Sequence, residues 1–319
     1  MEWEAQCLEC DEVLDDDDEL LSTQESDTPG QKQGLGLVGF DAPWTTELSF
    51  EEQSLVALED RDVDSTYRAM LRQELVRPDF SQEYEYLKYR RVLVDWMTEV
   101  GETHLRMRKE YVHAAVGYLE KVLARHETLP RKDRFQLLAL CCLRVALKFS
   151  GTEEELPPMA EFWEMGNRMY SFDEINDAEA GIFQKLGLRL TGVMPLHFLQ
   201  YYMGQTVLFA NDRVLGSELV DEAHGYYCKY AEFFVDLVLQ EYTLQVYRPS
   251  VVAAAILVTS RKALGVTPLW RDELSTLTGY DEEQVAPCFR ALWNHFEAAF
   301  GRQNKQHERD DSPSSVAAF

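Results

Sequence analysis

The side chains that could carry out chemistry in this chain are few and widely spread. Seven histidines occur in 319 residues, and none forms the H-E-x-x-H spacing of a zinc hydrolase. The G-x-S-x-G motif of a serine nucleophile and the phosphate-binding P-loop are also missing. Cys7 and Cys10 have the C-x-x-C spacing of a metal or redox site, but no second pair or nearby histidine completes it. We therefore predict a protein that is not an enzyme and uses neither a metal nor a cofactor.

The charge of the chain restricts its direct ligands. Asp and Glu number 56 against 31 Lys and Arg, which gives a formal net charge of -25. Nucleic acids and anionic membranes are held by clustered Lys and Arg that this chain lacks. The apolar runs Leu137–Leu143 and Val251–Val258 are shorter than a membrane span. The acidic start has no secretory apolar region, so we expect an intracellular chain with reduced cysteines.

Both ends differ in composition from the middle. Residues 1–60 hold 18 acidic side chains and one basic one, Lys32. High charge with low hydrophobicity cannot offset the entropy of ordering, so this arm is predicted to be disordered. The acidic run Asp15–Glu19 lacks the spacing of a calcium loop, and Gly34-Leu35-Gly36 has no strand before it. A short polar tail, residues 303–319, is predicted to be disordered as well.

Between the arm and the tail the apolar pattern is helical. Segments 135–147 and 251–258 are apolar on nearly every face, so each must lie enclosed by other helices. They occupy similar positions in two successive halves of the chain. Strand signals are weak, and we predict an all-α protein of two bundles with about five helices each. Among the expected helices are segments 64–74, 214–239, 269–277 and 282–299.

Several segments resemble one known family. The stretch YRRVLVDWMTEV at residues 89–100 is similar to the opening of the cyclin box. FQL at residues 135–137, ALKF at 146–149, YRPSVVAA at 247–254 and TGY at 278–280 resemble later cyclin motifs in the same order. The resemblance covers about residues 61–302. It implies two tandem five-helix cyclin boxes, residues 61–190 and 191–302.

The resemblance also implies a role and a binding site. A cyclin is the non-catalytic regulatory subunit of a cyclin-dependent kinase, and its interface centres on a lysine and a glutamate. The matching residues here are Lys148 and Glu179, with Phe149 beside them. A lysine at the C-terminal end of a helix is favoured by the helix dipole and can reach carbonyl groups of a partner. The sequence after Phe149 lacks the family's Glu-Glu pair, and the loop to Pro157 is about three residues longer.

A second implied site is a patch for docking Arg-x-Leu segments of kinase substrates or inhibitors. It is a shallow apolar groove with one acid. Tyr89 replaces the usual methionine, and Arg91 replaces a small residue. Arg90 and Asp95 are expected to be structural and to tie the first box helix to the N-terminal segment. The patch positions are Tyr89, Val92, Leu93, Trp96, Glu99, Phe135 and Gln136.

The acidic arm contains a short motif of its own. Leu8, Cys10 and Glu12 form L-x-C-x-E, which resembles the retinoblastoma-binding motif of D-type cyclins. Leu8 and Cys10 would fill two apolar holes while Glu12 caps a helix N-terminus. Thr28 and Ser312 each precede a proline and are candidate phosphorylation sites.

These observations leave three classes of cyclin open. The L-x-C-x-E motif favours a D-type protein that acts at G1/S entry through retinoblastoma-family proteins. The box sequence is closer to mitotic A/B-type cyclins, and a transcription-associated cyclin-fold protein is the further alternative. No Lys/Arg-rich nuclear signal is visible, so we expect a protein of nucleus and cytoplasm whose nuclear entry follows a partner.

Overall fold

The computed structural model describes residues 63–74, 80, 85–125, 130–187 and 190–218, together with 222–300 and the backbone of 301–310. A short helix, α1 (Val63–Arg72), comes first. The five helices of the first bundle follow, and a π-helical turn (Glu99–His104) extends the first of them. They are α2 (Tyr86–Thr98), α3 (Lys109–Ala124), α4 (Lys132–Ser150), α5 (Met159–Met165) and α6 (Phe172–Leu186).

The second bundle also has five helices. A 3-10 helix (Tyr242–Val246) connects its second and third helices. The helices are α7 (Pro195–Met203), α8 (Glu222–Gln240), α9 (Pro249–Ala263), α10 (Asp272–Thr278) and α11 (Glu282–Asp310). The all-α class and the two five-helix bundles are therefore confirmed. None of the helices in the described residues is both long and apolar enough to cross a bilayer.

Two details of the predicted helices were wrong. The segment expected to be one helix from residue 214 begins instead with a hairpin of β1 (Arg213–Val214) and β2 (Ser217–Glu218). Its turn holds Leu215 and Gly216 at φ of 51° and 81°, values that a helix does not allow. A third strand, β3 (Val266–Thr267), pairs antiparallel with β1. The last helix continues to Asp310 and so passes the predicted start of the tail.

The two enclosed helices form the centres of two separate cores. Phe135, Leu140 and Leu147 of α4 are almost completely buried, as are Ala254 and Leu257 of α9. Each helix contacts apolar residues of its own bundle on all sides. The all-round apolar pattern therefore predicted the central helices correctly, because no residue of 135–147 or 251–258 is exposed.

Helix α1 packs on the second bundle rather than on the first. The Tyr67 ring stacks on Tyr201 with centroids 5.0 Å apart, and its hydroxyl donates to the carbonyl of Thr278 at 2.5 Å. The backbone after α1 pairs with the chain between the bundles, where Val193 N donates to Gln73 O at 3.1 Å. Helix α1 is thus part of the second bundle's surface.

Arg90 joins the two bundles. Its guanidinium lies 2.7 Å from the carboxylate of Glu120 on α3, and both side chains are buried. It also donates to the carbonyls of Leu239 and Gln240, where α8 ends, at 3.0 and 2.6 Å. Arg90 is fold-stabilising as predicted, but its partners lie in α3 and α8, which corrects the expected link to the N-terminal segment. Asp95 is exposed on the outer face of α2.

A buried group of charges also lies between the bundles. Lys109 Nζ is 2.7 Å from Asp236 Oδ2, 3.4 Å from Glu102 Oε1 and 3.8 Å from Glu232 Oε1. His113 Nε2 is 3.5 Å from Asp236 Oδ1. Burial raises the pKa of Glu102 and of Glu232 to about 7, although Lys109 acts in the opposite direction. Asp236 keeps a lowered pKa despite burial, because Lys109 and His113 stabilise its charge.

We expect Glu102→Gln to stabilise the protein at alkaline pH. The protonated form of Glu102 is favoured in the folded state, so its ionisation destabilises the fold progressively as pH rises from 4.5 to about 7. At about pH 8.5 the free energy of unfolding of the variant should exceed that of the wild type by on the order of 2 kcal/mol. At about pH 4 the two free energies should be equal. Denaturant titrations across this range measure the difference.

Glu99→Gln is the matched control, since it removes the same charge from an exposed position of the same turn. It should leave the pH dependence of unfolding as it is in the wild type. An equal gain from both variants would show that net charge, rather than the buried group, sets the effect.

Candidate functional site

Helices α4 and α6 run side by side in the same direction and create the site. The Tyr170 hydroxyl donates to Asp133 O at 3.0 Å at one end, and Cys141 Sγ approaches Ile175 O at 3.5 Å in the middle. Ser171 begins α6 with a capping box, in which its hydroxyl accepts from Glu174 N at 3.2 Å. This arrangement fixes the register that places Glu179 beside the last turn of α4.

Lys148 and Glu179 form an ion pair with each other. The Lys148 ammonium bonds to one carboxylate oxygen of Glu179, and Arg144 bonds to the other. The Glu179 side chain is only 9% exposed, whereas that of Lys148 is 33% exposed. Lys148 therefore presents a polar group at the surface, held in place by a buried carboxylate.

Arg144 is the site residue that sequence reasoning missed. It precedes Lys148 by four residues, so the two side chains lie on the same face of α4. Its side chain is 12% exposed and also packs over the Phe162 ring. The i, i+4 spacing of two cations beside one predicted acid was the signal that could have identified it.

Exposed apolar side chains flank the ion pair. Phe149 is 49% exposed directly after Lys148, where α4 ends. Met169 and Phe172, at the beginning of α6, are 54% and 47% exposed. A charged pair between apolar side chains suits a protein–protein interface, since such interfaces combine apolar anchors with oriented charge.

The predicted docking patch is mostly closed in this structure. Val92 and Glu99 are exposed, and Tyr89 is half-buried. The ammonium of Lys132 lies 4.5 Å from the centre of the Tyr89 ring. The remaining four positions are buried and contribute to the core or its edge, namely Leu93, Trp96, Phe135 and Gln136.

The described cysteines are buried packing residues. Burial raises the pKa of the Cys141 and Cys288 thiols to about 12, so both stay protonated near neutral pH. Cys142 and Cys228 are buried as well. Their predicted role as small apolar residues is confirmed.

Several predicted sites lie outside the described residues. They are Cys7, the L-x-C-x-E residues Leu8, Cys10 and Glu12, and the candidate phosphorylation sites Thr28 and Ser312.

Two family models match the chain in succession. "Cyclin, N-terminal domain" matches residues 62–191, and "Cyclin, C-terminal domain" matches residues 193–317. Among solved structures, the X-ray structure of a viral cyclin from herpesvirus saimiri superposes with a TM-score of 0.57. It is 16% identical in sequence and covers 75% of this chain and 98% of that one, which supports the shared fold.

Curated relatives come from more than one cyclin class. Cyclin-D of Ostreococcus tauri is 28% identical over 233 residues, which is 70% of this chain and 60% of that protein's length. A G2/mitotic-specific cyclin of Glycine max is 31% identical over 206 residues, 64% of this chain and 72% of that protein. The two consecutive family matches and the tandem five-helix fold establish that this chain belongs to the cyclin family.

Proposed function

We propose that this chain is the activating regulatory subunit of a cyclin-dependent serine/threonine kinase and thereby controls cell-cycle progression. The observation that carries the proposal is the Lys148–Glu179 pair, preorganised by Arg144 and flanked by exposed Phe149. In this proposal the chain is a non-catalytic subunit. Its contribution is to bind the kinase and bias a mobile element of it toward the active arrangement.

The geometry suits the capture of a helix end or loop of the kinase. Lys148 can donate to backbone carbonyls of the kinase, and the buried carboxylate of Glu179 holds the ammonium in position for this. Kinase activity requires the helix that bears the active-site glutamate and the activation loop to be in place together. A subunit that binds the active arrangement of the kinase more tightly than the inactive one shifts the kinase toward the active arrangement. The size of the shift is set by the difference in affinity for the two arrangements.

We expect Lys148→Met/Glu179→Gln to bind the kinase at least about 100-fold more weakly, since two hydrogen bonds to charged groups contribute about 1.5–3 kcal/mol each. Methionine keeps the apolar stem of the lysine, and glutamine keeps a carbonyl for Arg144, so the fold is preserved. The measurement is co-purification with the kinases of a cell extract, followed by titration of the kinase recovered.

Lys229→Met/Glu283→Gln, which changes two exposed side chains of the second bundle, is the control and should bind as the wild type does. Equal thermal unfolding of all variants would exclude a folding defect. Full kinase recovery with the Lys148/Glu179 variant would refute the interface, and no recovery with the wild type would refute the activator role.

We propose in addition that the arm directs this activity to G1/S entry by binding retinoblastoma-family proteins through Leu8, Cys10 and Glu12. The similarity to a D-type cyclin supports this assignment, and the similarity to mitotic cyclins supports an A/B-type role as the second candidate. Pull-down of a retinoblastoma pocket domain with the wild type, but not with Cys10→Ala, decides between them.

Docking of Arg-x-Leu substrates or inhibitors at the patch around Val92 and Glu99 is proposed as well, because these two side chains remain exposed. Since Leu93 and Trp96 are buried, the groove would have to be built on Tyr89 and Val92.

We also propose that the protein is located in both nucleus and cytoplasm and enters the nucleus together with the kinase. Imaging tests this proposal, since the Lys148→Met/Glu179→Gln variant should then enter the nucleus less than the wild type.

A further inference from the structure

Two exposed apolar side chains and one partly buried ring form a corner where α5 turns into α6. Met169 is 54% exposed and Phe172 is 47% exposed. The Trp163 ring meets Phe172 edge-on, with centroids 5.7 Å apart. We call Trp163, Met169 and Phe172 the aromatic corner. Single exposed apolar side chains are common on protein surfaces, but adjacent ones of this size mark contact sites.

The backbone that presents Met169 is held in an unfavourable conformation. Asn167 and Arg168 are consecutive non-glycine residues with φ of 51° and 58°. Arg168 pairs with Glu164 at 2.6 Å, and its guanidinium lies 5.1 Å from the centre of the Trp163 ring. Left-handed backbone is uncommon for residues other than glycine and is concentrated at functional sites.

Phe172 of the aromatic corner lies on the same face of α6 as Glu179 of the ion pair. Phe172 precedes Glu179 by seven residues, which is two helical turns and about 10 Å along α6. Because α4 and α6 run in the same direction, Phe149 lies beyond the Lys148–Glu179 pair on the opposite side. The exposed surface is therefore a strip from Phe149 through the ion pair to the aromatic corner.

The surroundings of the strip are strongly acidic. Residues 150–180 contain nine acidic side chains and one arginine. Six of the acids are exposed, namely Glu153, Glu154, Glu161, Glu164, Asp173 and Asp177. The chain's own arm, with 18 acids in residues 1–60, would be repelled, and a second copy with a net charge of -25 is disfavoured for the same reason. Charge complementarity selects a basic partner.

We propose that the aromatic corner is a docking site for a basic segment of the kinase, one that places an apolar side chain among flanking Lys or Arg residues. This rests on the proposed function and extends it. The ion pair engages kinase backbone that any cyclin-dependent kinase offers, whereas the corner selects kinases with a basic surface beside that point. The acids accelerate encounter, and the apolar corner supplies the contact that slows dissociation.

The test uses the kinase recovered with the full chain and compares three sets of variants. Met169→Ser/Phe172→Ser should bind that kinase 10- to 100-fold more weakly, mainly through faster dissociation. Leu215→Ser/Val246→Ser is the matched control, because these side chains are 62% and 81% exposed on the second half of the chain. It should bind as the wild type does.

The charge contribution is measured by association rates at about 50 mM and about 500 mM salt, where screening differs several-fold. Glu153→Gln/Glu161→Gln/Asp177→Asn should associate more slowly at low salt and lose most of the salt dependence. The docking site would be overturned if Met169→Ser/Phe172→Ser and Glu153→Gln/Glu161→Gln/Asp177→Asn both bound the kinase as the wild type does. If Lys148→Met/Glu179→Gln still bound more weakly in the same experiment, the proposed function would stand. Failure of the wild type to bind any kinase would overturn both.

Discussion

Arg261→Ala is expected to lower the free energy of unfolding by about 3–5 kcal/mol, as loss of one partner from a buried ion pair does. Arg261 and Asp212 are both completely buried. The guanidinium donates to the two carboxylate oxygens at 2.9 and 2.7 Å, and to the carbonyls of Val207 and Pro268 at 2.8 and 2.7 Å. Alanine would leave a buried carboxylate short of a partner and two carbonyls without a donor.

This arginine connects three parts of the second bundle. Asp212 also accepts from Phe209 N at 2.9 Å and from Arg271 at 2.8 Å, so it lies between the segment after α7 and the segment before α10. Despite burial, the hydrogen bonds from Arg261, Phe209 and Arg271 keep the pKa of Asp212 below its usual value. The stabilisation is therefore present at neutral pH and is lost as pH falls below 3.8.

Denaturant unfolding of Arg261→Ala and Arg261→Lys measures the effect. Lysine keeps the charge but cannot reproduce the bidentate geometry, so it should recover only part of the loss. Arg290→Ala, at an exposed position of α11, should change stability by less than about 0.5 kcal/mol. A loss below about 1 kcal/mol for Arg261→Ala would show that water replaces the guanidinium.

Arg90→Ala should produce a loss of similar size, about 3–5 kcal/mol, and should in addition loosen the two bundles from each other. The substitution removes the arginine partner of the buried Glu120 carboxylate, which also accepts from Gln245 Nε2 at 3.2 Å. It also removes the donors that satisfy the last carbonyls of α8, and helix ends buried without partners are costly.

The neighbouring Arg91→Ala is the control, because Arg91 is exposed on the same helix. Hydrogen exchange should show the amides of α8 near Leu239 opening faster in Arg90→Ala than in Arg91→Ala. The double variant Arg90→Met/Glu120→Met should lose less stability than Arg90→Ala, since it removes both charges of the buried pair. An equal loss of stability in Arg90→Ala and in the double variant would show that lost packing, rather than the remaining buried carboxylate, causes the destabilisation.

Much of the fold could be predicted from local pattern. The central helices α4 and α9 are apolar all round, and burial on every face follows from that property. Pro195 and Pro249 mark helix starts, because proline is favoured in the first turn of a helix, although α11 also accommodates Pro287 in its interior. Lys148 and Glu179 were predicted from the family resemblance, and the structure brings them together.

What could not be predicted depends on contacts distant in sequence. Arg261 and Asp212 lie 49 residues apart, and nothing near either one identifies its partner. Lys109 sits among acids contributed by α8 of the other bundle, which only the packing of the two bundles defines. The hairpin at Leu215 and Gly216 has two-residue strands, too short for any alternation to show.

The position of α1 has a consequence for how the chain is made. Helix α1 leaves the ribosome before either bundle, yet its contacts are with Tyr201, Thr278 and Val193, which are synthesised later. A helix this short is marginal in water by itself. It therefore reaches its native place only when the chain through α10 is available, so the first described helix to emerge is among the last to dock. Until then Tyr67 stays exposed on the growing chain, where it is accessible to a chaperone that recognises aromatic side chains.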